Sequence, residues 1–176
     1  MLYELINMFE NVRDFMEKGG PVLTAIFIII FLLWALVFER MMYFKTGHRK
    51  QVNEVMSTWE ARPERTSWYA NQIRRAMISQ VTMDLRSNFP LIKTLVAIAP
   101  LMGLLGTVWG MIEVFDVMAV LGSSNVKAMA AGVSKATIPT MAGMVGALSG
   151  VFASSFLEGR MNKEAELLED HLTKDH

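Results

Sequence analysis

Three long stretches of the chain contain no charged residue, and they limit its possible folds more than any other feature. They are residues 21–38, 94–112 and 136–157, with 18, 19 and 22 residues. A helix needs about 20 apolar residues to cross the hydrocarbon core of a bilayer. Since a water-soluble fold rarely contains three such runs, the sequence predicts three membrane-spanning helices. In lipid the backbone must satisfy its own hydrogen bonds, so each helix is expected to continue even at Pro100 and Pro139.

The composition leaves little room for a soluble domain beside these spans. Of 176 residues, 52% are hydrophobic, and we therefore predict an all-α, polytopic membrane protein whose three transmembrane helices extend into the cytoplasm. Seventeen basic and seventeen acidic residues cancel, so the net charge does not indicate a nucleic-acid partner, and the expected partner is the lipid bilayer. The chain has no cysteine, which excludes disulfide bonds and thiolate metal sites.

The uneven placement of the charges predicts the topology. The range 40–86 contains nine Lys or Arg residues, so the positive-inside rule places it in the cytoplasm, the N-terminus outside and the C-terminus in the cytoplasm. The mostly acidic residues ahead of the first span have the wrong sign for a signal peptide. The predicted segments are, in chain order, an amphipathic helix on the outer side (1–20), a first span (21–43), a cytoplasmic helical segment (44–90), a second span (91–116), an outer loop (117–126), a third span (127–158) and a cytoplasmic tail (159–176).

Apolar residues before the first span recur at helical spacing and predict an amphipathic helix that ends at Gly19, Gly20 and Pro21. The apolar positions are Leu2, Leu5, Ile6, Phe9, Val12 and Met16. Such a helix lies on a membrane surface or packs against neighbouring subunits, and the sequence leaves both alternatives open.

The cytoplasmic segment has two further helical stripes, which are separated by Pro63. The apolar positions are Val52, Val55, Met56 and Trp59 in the first stripe, and Tyr69, Ile73, Met77, Val81 and Leu85 in the second. The segment is too short for a nucleotide-binding domain, and the chain contains no glycine-rich phosphate-binding motif.

The polar residues show no catalytic arrangement. The three histidines, His48, His171 and His176, are isolated from one another in the sequence, and we expect solvated side chains rather than metal ligands. We therefore predict no metal, no cofactor and no enzymatic activity.

The second and third spans differ from the first span, which has the uniformly apolar composition of a lipid-facing anchor. Small residues four apart allow helix backbones to approach closely. The candidate packing positions are Pro100, Gly103, Gly106 and Gly110 in the second span, and Pro139, Gly143, Gly146 and Gly150 in the third. Tight packing within one subunit explains most of these small residues. Small side chains in two consecutive spans would also suit an oligomeric ring whose inner wall accommodates a partner helix.

Two motifs resemble those of a known family. Residues 99–110, APLMGLLGTVWG, closely resemble the second-span signature of the MotA/TolQ/ExbB proton-channel family, and residues 131–147, AGVSKATIPTMAGMVGA, resemble its third span. The three-span arrangement extends the resemblance over essentially the whole chain. The ExbB branch fits best. TolQ shares the topology, whereas MotA-type stators usually have four spans and a larger cytoplasmic domain.

The resemblance implies a channel and scaffold subunit of a motor driven by the proton-motive force, located in the bacterial inner (cytoplasmic) membrane. Motors of the ExbB–ExbD–TonB type energise transport across the outer membrane. The family resemblance also implies a homo-oligomeric ring, expected to be a pentamer, that surrounds the single spans of an ExbD-like partner and transmits work to a TonB-like protein. A TolQ-like subunit of a Tol-Pal envelope system and a passive membrane scaffold are the alternatives.

The resemblance also implies pore-facing positions for Thr107, in the GTVWG motif, and for Thr140 in the third span. A hydroxyl there could hold water or bond a partner carboxylate; the alternative is a bond to a carbonyl of its own helix. Lys135 stands where many ExbB and TolQ sequences have a glutamate. A lysine within lipid is expected to be functional and paired, so Lys135 is predicted to line the ion pathway, with Glu113 or an acid of the partner as counter-charge. Alternatively, it extends to the outer interface.

The predicted spans contain no carboxylate near their middle. Glu39, Glu113, Asp116 and Glu158 all fall at the ends of the uncharged stretches, so the chain alone lacks a proton carrier. If protons cross on a carboxylate, another polypeptide must supply it, and the family resemblance implies an aspartate of an ExbD-like partner.

Overall fold

The computed structural model describes residues 2–122 and 126–172, and this part of the chain is all α-helical. Three of its segments are long and apolar enough to cross a membrane, by length and composition. The prediction of an all-α protein with three candidate spans is therefore confirmed. The helices of the described residues are α1 (Leu2–Lys45), α2 (Gly47–Glu60), α3 (Trp68–Arg86), α4 (Phe89–Leu121) and α5 (Val126–His171).

The contacts divide the chain into two compact units. Met1–Trp34 and Thr94–Val151 form one of them, here called the span unit. Ala35–Lys93 and Phe152–His176 form the other, here called the hairpin unit after the α2–α3 hairpin that it contains.

Helix α1 is broken at Gly20, where the sequence predicts the end of the amphipathic helix. Gly20 has φ 66° and ψ −165°, a conformation that glycine adopts readily and that a side chain disfavours. Pro21 follows and also disfavours a helical conformation at the residue before it. The side chains of Leu2, Leu5, Ile6 and Phe9, which carry the prediction of an apolar face, lie outside the described part of the structure.

The first apolar stretch packs against the rest of the span unit along one face. In the part that belongs to the span unit, Val22, Leu23, Ile26 and Leu33 are buried, whereas Phe27, Ile28, Phe31 and Leu32 are exposed. A Cβ atom added at Gly150 of α5 would lie 2.8 Å from Leu33 Cδ1 and 2.7 Å from Val96 Cγ2 of α4. The stretch is therefore more than a lipid-facing anchor, since one side of it contributes to the core of the unit.

The predicted loop at 117–126 is shorter in the structure. Helix α4 continues to Leu121 because apolar residues extend the second span without a helix breaker. The next residue, Gly122, has φ 77° and donates its N–H to the Met118 carbonyl at 2.9 Å, an ending typical of a glycine cap. Helix α5 begins at Val126. Residues 123–125 of the predicted loop lie outside the described residues.

The hairpin unit has a helical hairpin whose turn contains Pro63, as the sequence predicts. Helix α2 ends at Glu60, and α3 begins at Trp68, where the Ser67 hydroxyl accepts a hydrogen bond from the Ala70 N–H at 3.2 Å. Trp59, Ala70, Val81 and Leu85 are buried. The placement of Tyr69 in the apolar stripe is wrong, since its side chain is exposed and the first buried position of α3 is Ala70.

The prediction that His48 is solvated is also wrong. Only 3% of this residue is exposed, and its Nε2 lies 3.3 Å from Oε2 of Glu164 on α5. The ring also makes an edge contact with Phe44. His171 is exposed, as expected, and its Nδ1 lies 2.6 Å from the Leu167 carbonyl of its own helix. His176 lies outside the described residues.

Candidate functional site

Helices α4 and α5 of the span unit approach so closely that side chains are excluded at several positions. A Cβ atom at Gly110 would lie 2.6 Å from both Cα and Cβ of Ala136. At Gly103 it would lie 2.9 Å from Thr140 Cα, and at Gly143 2.6 Å from the Ala99 carbonyl oxygen. Contacts this short leave no room for a methyl group, so the two backbones touch directly along this line.

The remaining packing candidates extend the same contact. Pro139 is almost fully buried, and a Cβ atom at Gly106 would overlap its ring. Gly146 faces the Ile30 side chain of α1. Pro100 and Pro139 both lie inside continuous helices, as the sequence predicts for spans in lipid. The small residues of α4 and α5 thus pack helices within a single copy of the chain.

The two threonines have different hydrogen-bond partners. The Thr140 hydroxyl donates to the Gly103 carbonyl of α4 at 2.8 Å, which links the two helices. The Thr107 hydroxyl donates to the Leu104 carbonyl of its own helix at 2.6 Å, a pattern common for threonine in helices. A hydroxyl that donates its hydrogen still has acceptor lone pairs, so each oxygen can accept a further hydrogen bond.

Lys135 is paired with Glu113, one of the two counter-charges that the sequence left open. Its Nζ lies 2.7 Å from Oε2 of Glu113, and the two side chains are 40% and 42% exposed. Helix α4 continues about two turns beyond Glu113, so the pair lies inside the helical part of both elements.

Other charged residues lie near this ion pair. Lys135 lines a cavity of about 640 Å³ together with Ser134 and with Asp14 and Glu17 of α1. A Cβ atom at Gly20 would lie 4.0 Å from the Cε atom of Lys135. The kink in α1 therefore lies next to the lysine, and the acidic N-terminal segment borders the same cavity.

Sequence reasoning found three of the polar groups in this region but not how they connect. Thr107, Thr140 and Lys135 were identified from the family resemblance, and Glu113 only as one of two possible counter-charges. The Gly103 carbonyl that accepts from Thr140 gave no signal, because a backbone acceptor has no sequence signature. Among the described residues, no group of three or more His, Asp or Glu side chains could hold a metal ion.

Comparisons with known proteins agree with one another. Residues 40–170 match the model of the MotA/TolQ/ExbB proton channel family. The chain is 34% identical over 90 residues to the biopolymer transport protein ExbB of Xanthomonas campestris pv. campestris, which covers 51% of this chain and 36% of that protein. It is 24% identical over 159 residues to the putative biopolymer transport protein ExbB-like 1 of Helicobacter pylori, with 80% and 84% covered.

A third relative has a different name. The chain is 31% identical over 79 residues to the Tol-Pal system protein TolQ of Haemophilus influenzae, which covers 45% of this chain and 35% of that protein. The matched regions thus span little more than a third of the Xanthomonas ExbB and of the Haemophilus TolQ. Relatives with both names occur, so the comparisons leave the ExbB and TolQ branches unresolved.

Proposed function

Because the chain belongs to the MotA/TolQ/ExbB proton channel family, we propose that it is the ring-forming channel and scaffold subunit of an ion-driven motor in the bacterial inner membrane. The observation that carries the proposal is the close α4–α5 contact, which holds polar groups in spans that lack a central carboxylate. Such a contact offers sites to a mobile proton carrier but contains no carrier of its own.

The proposed mechanism assigns the carrier to a partner. An aspartate on the single span of an ExbD-like subunit would enter the ring and take up a proton. The hydroxyl hydrogens of Thr107 and Thr140 are already donated to carbonyls, so their oxygens would act as acceptors for water or for a protonated carboxyl group. A ring of such acceptors stabilises the neutral acid within the membrane, and its deprotonation on the other side completes the transfer.

The proposed topology follows the placement of charge. Residues 1–20 and the connection at 117–126 face the periplasm, whereas residues 44–90 and 159–176 lie in the cytoplasm, with spans at 21–43, 91–116 and 127–158. Nine basic residues in the range 40–86 support this orientation. The chain acts as a transport subunit and not as an enzyme, and a homo-oligomer, expected to be a pentamer, surrounds the partner spans.

The ExbB branch is our first choice for the recipient of the work, a TonB-like protein that energises transport across the outer membrane. A TolQ-like role in a Tol-Pal envelope system is the second candidate, and it is favoured by the match to the Haemophilus protein. A passive scaffold is a third possibility. It predicts that Thr107, Thr140 and Lys135 tolerate alanine provided that the ring assembles.

Native mass spectrometry tests the assembly directly. The chain is co-expressed with an ExbD-like subunit, purified in detergent and compared with the chain expressed alone. We expect a five-membered ring that retains one or more partner chains. A monomer, or a ring that never retains a partner, would contradict the motor and favour the scaffold.

A further inference from the structure

The packing of α4 against α5 determines which carboxylate meets Lys135. Gly110 touches Ala136, the residue that follows Lys135 in the sequence. Glu113 lies three residues after Gly110 on the same face of α4. The contact between Gly110 and Ala136 therefore places Glu113 next to Lys135. The resulting contact of 2.7 Å has the length of a charge-assisted hydrogen bond.

The neighbouring acids do not replace Glu113 in this contact. Asp14 and Glu17 border the cavity that Lys135 lines, but each lies within 4.0 Å of Arg13 on its own helix. Among the described residues, the one ion pair formed by Lys135 is that with Glu113. Among the described residues, Glu113 is therefore the side chain that compensates the charge of Lys135 by direct contact.

An uncompensated lysine has a particular consequence for a cation pathway. A homo-oligomer repeats every residue once per subunit, so a ring places one Lys135 in each copy at the same height. Charges in a site of low dielectric constant act over several ångströms, and rings of like charge determine which ions pass through a pore. A ring of unpaired lysines would repel cations and attract anions.

We propose that Glu113 is a specificity-determining residue, which cancels the charge of Lys135 so that cations can approach the ion pathway. This inference rests on the proposed function of the chain as a motor subunit. Together, Glu113 and Lys135 form an electroneutral pair at the position where many ExbB and TolQ sequences have a single glutamate. Glu113 then determines ion selectivity. If both Glu113 and Lys135 are replaced by neutral residues, the selectivity is expected to be retained.

The test is a set of charge variants of the complete complex with its ExbD-like partner, reconstituted in liposomes. Flux of protons and of chloride is measured for the wild type, Glu113→Gln, Lys135→Met, the double variant Glu113→Gln/Lys135→Met and the exchanged pair Glu113→Lys/Lys135→Glu. Asp116→Asn is the matched control, because it removes a carboxylate three residues further along α4 that forms no ion pair with Lys135 among the described residues. Native mass spectrometry confirms that each ring is assembled.

We expect Glu113→Gln to lower the ratio of proton flux to chloride flux roughly tenfold or more, which is the order expected for an uncompensated charge several ångströms from an ion at an effective dielectric constant of about 20. The double variant and Asp116→Asn should remain within about twofold of the wild type. If the Glu113→Gln complex does not assemble, the variant Glu113→Lys/Lys135→Glu tests the inference instead. It keeps the charges balanced and should therefore keep the ion selectivity.

Three outcomes would overturn the inference. An assembled Glu113→Gln complex with unchanged selectivity would show that the lysine needs no compensation. A double variant as impaired as Glu113→Gln, or an exchanged pair that has lost selectivity, would show that the carboxylate acts in some way other than by cancelling charge. Absence of proton flux in the wild-type complex would overturn the proposed function together with this inference, and so differs from the other two.

Discussion

Thr107 and Thr140 have the same chemistry but different roles in the packing of the span unit. The hydrogen bond of Thr140 joins two helices, whereas that of Thr107 stays within one turn of α4. A role in folding can therefore be separated from a role in ion transfer by comparing the two positions.

We predict that Thr140→Val lowers the free energy of unfolding by about 0.6–1.7 kcal/mol, between the average and the maximum measured for hydrogen bonds between the helices of a membrane protein. Valine keeps the shape of threonine and removes only the hydroxyl. Thr107→Val should change stability by less than about 0.5 kcal/mol, because its hydroxyl bonds a carbonyl of its own helix. Denaturation of the purified protein in mixed micelles measures both. Equal losses would contradict the assignment.

His48 and His171 form a second matched pair of single residues. Replacing the buried His48 by alanine removes its contacts with Phe44 and Glu164, and we expect a loss of about 2–4 kcal/mol, as for other large buried side chains. His171→Ala should cost at most about 0.5 kcal/mol, since its side chain is exposed. Thermal unfolding compares the variants. A His48→Ala protein as stable as the wild type would show that the imidazole of His48 is not part of the core.

The line of contact between α4 and α5 depends on glycines that accept no side chain. We predict that Gly110→Ala destabilises the protein by about 1–3 kcal/mol, because the new methyl group must push the Ala136 backbone away. Gly159→Ala on α5 is the control: nothing lies within 4 Å of an added Cβ atom there, so alanine should stabilise the helix by about 0.5–1 kcal/mol.

Unfolding of the two glycine variants under identical conditions measures this difference. Similar stability of Gly110→Ala and Gly159→Ala would mean that the two helices do not touch at Gly110 when the protein is embedded in lipid. It would also remove the geometric reason for the contact between Glu113 and Lys135.

The helices themselves could be predicted from the sequence, since uncharged runs and helix breakers act locally. The kink at Gly20 and the turn at Pro63 follow from backbone preferences of glycine and proline alone. The partners of a side chain could not be predicted, because they depend on how one helix faces another. The burial of His48 against α5 and the bond from Thr140 to Gly103 both arise in this way.

The composition of the whole chain separates the pathway from the carrier. The uncharged stretches at 94–112 and 136–157 include Thr107 and Thr140, whereas Glu113 and Lys135 lie just beyond them and compensate each other. In the proposed function, such a chain would supply the walls of the pathway and hydrogen-bond acceptors, but no mid-span carboxylate that could carry a proton. Under the proposed function, proton transfer therefore requires a second polypeptide.

Proton flux into liposomes tests whether proton transfer requires the second polypeptide. Vesicles contain either the purified chain alone or the complex with its ExbD-like partner, at equal amounts of the chain and under the same membrane potential. We expect flux only with the partner, and its loss when the membrane aspartate of the partner is replaced by asparagine. If the chain alone gives the same proton flux as the complex, the proposal that the partner carries the proton is contradicted.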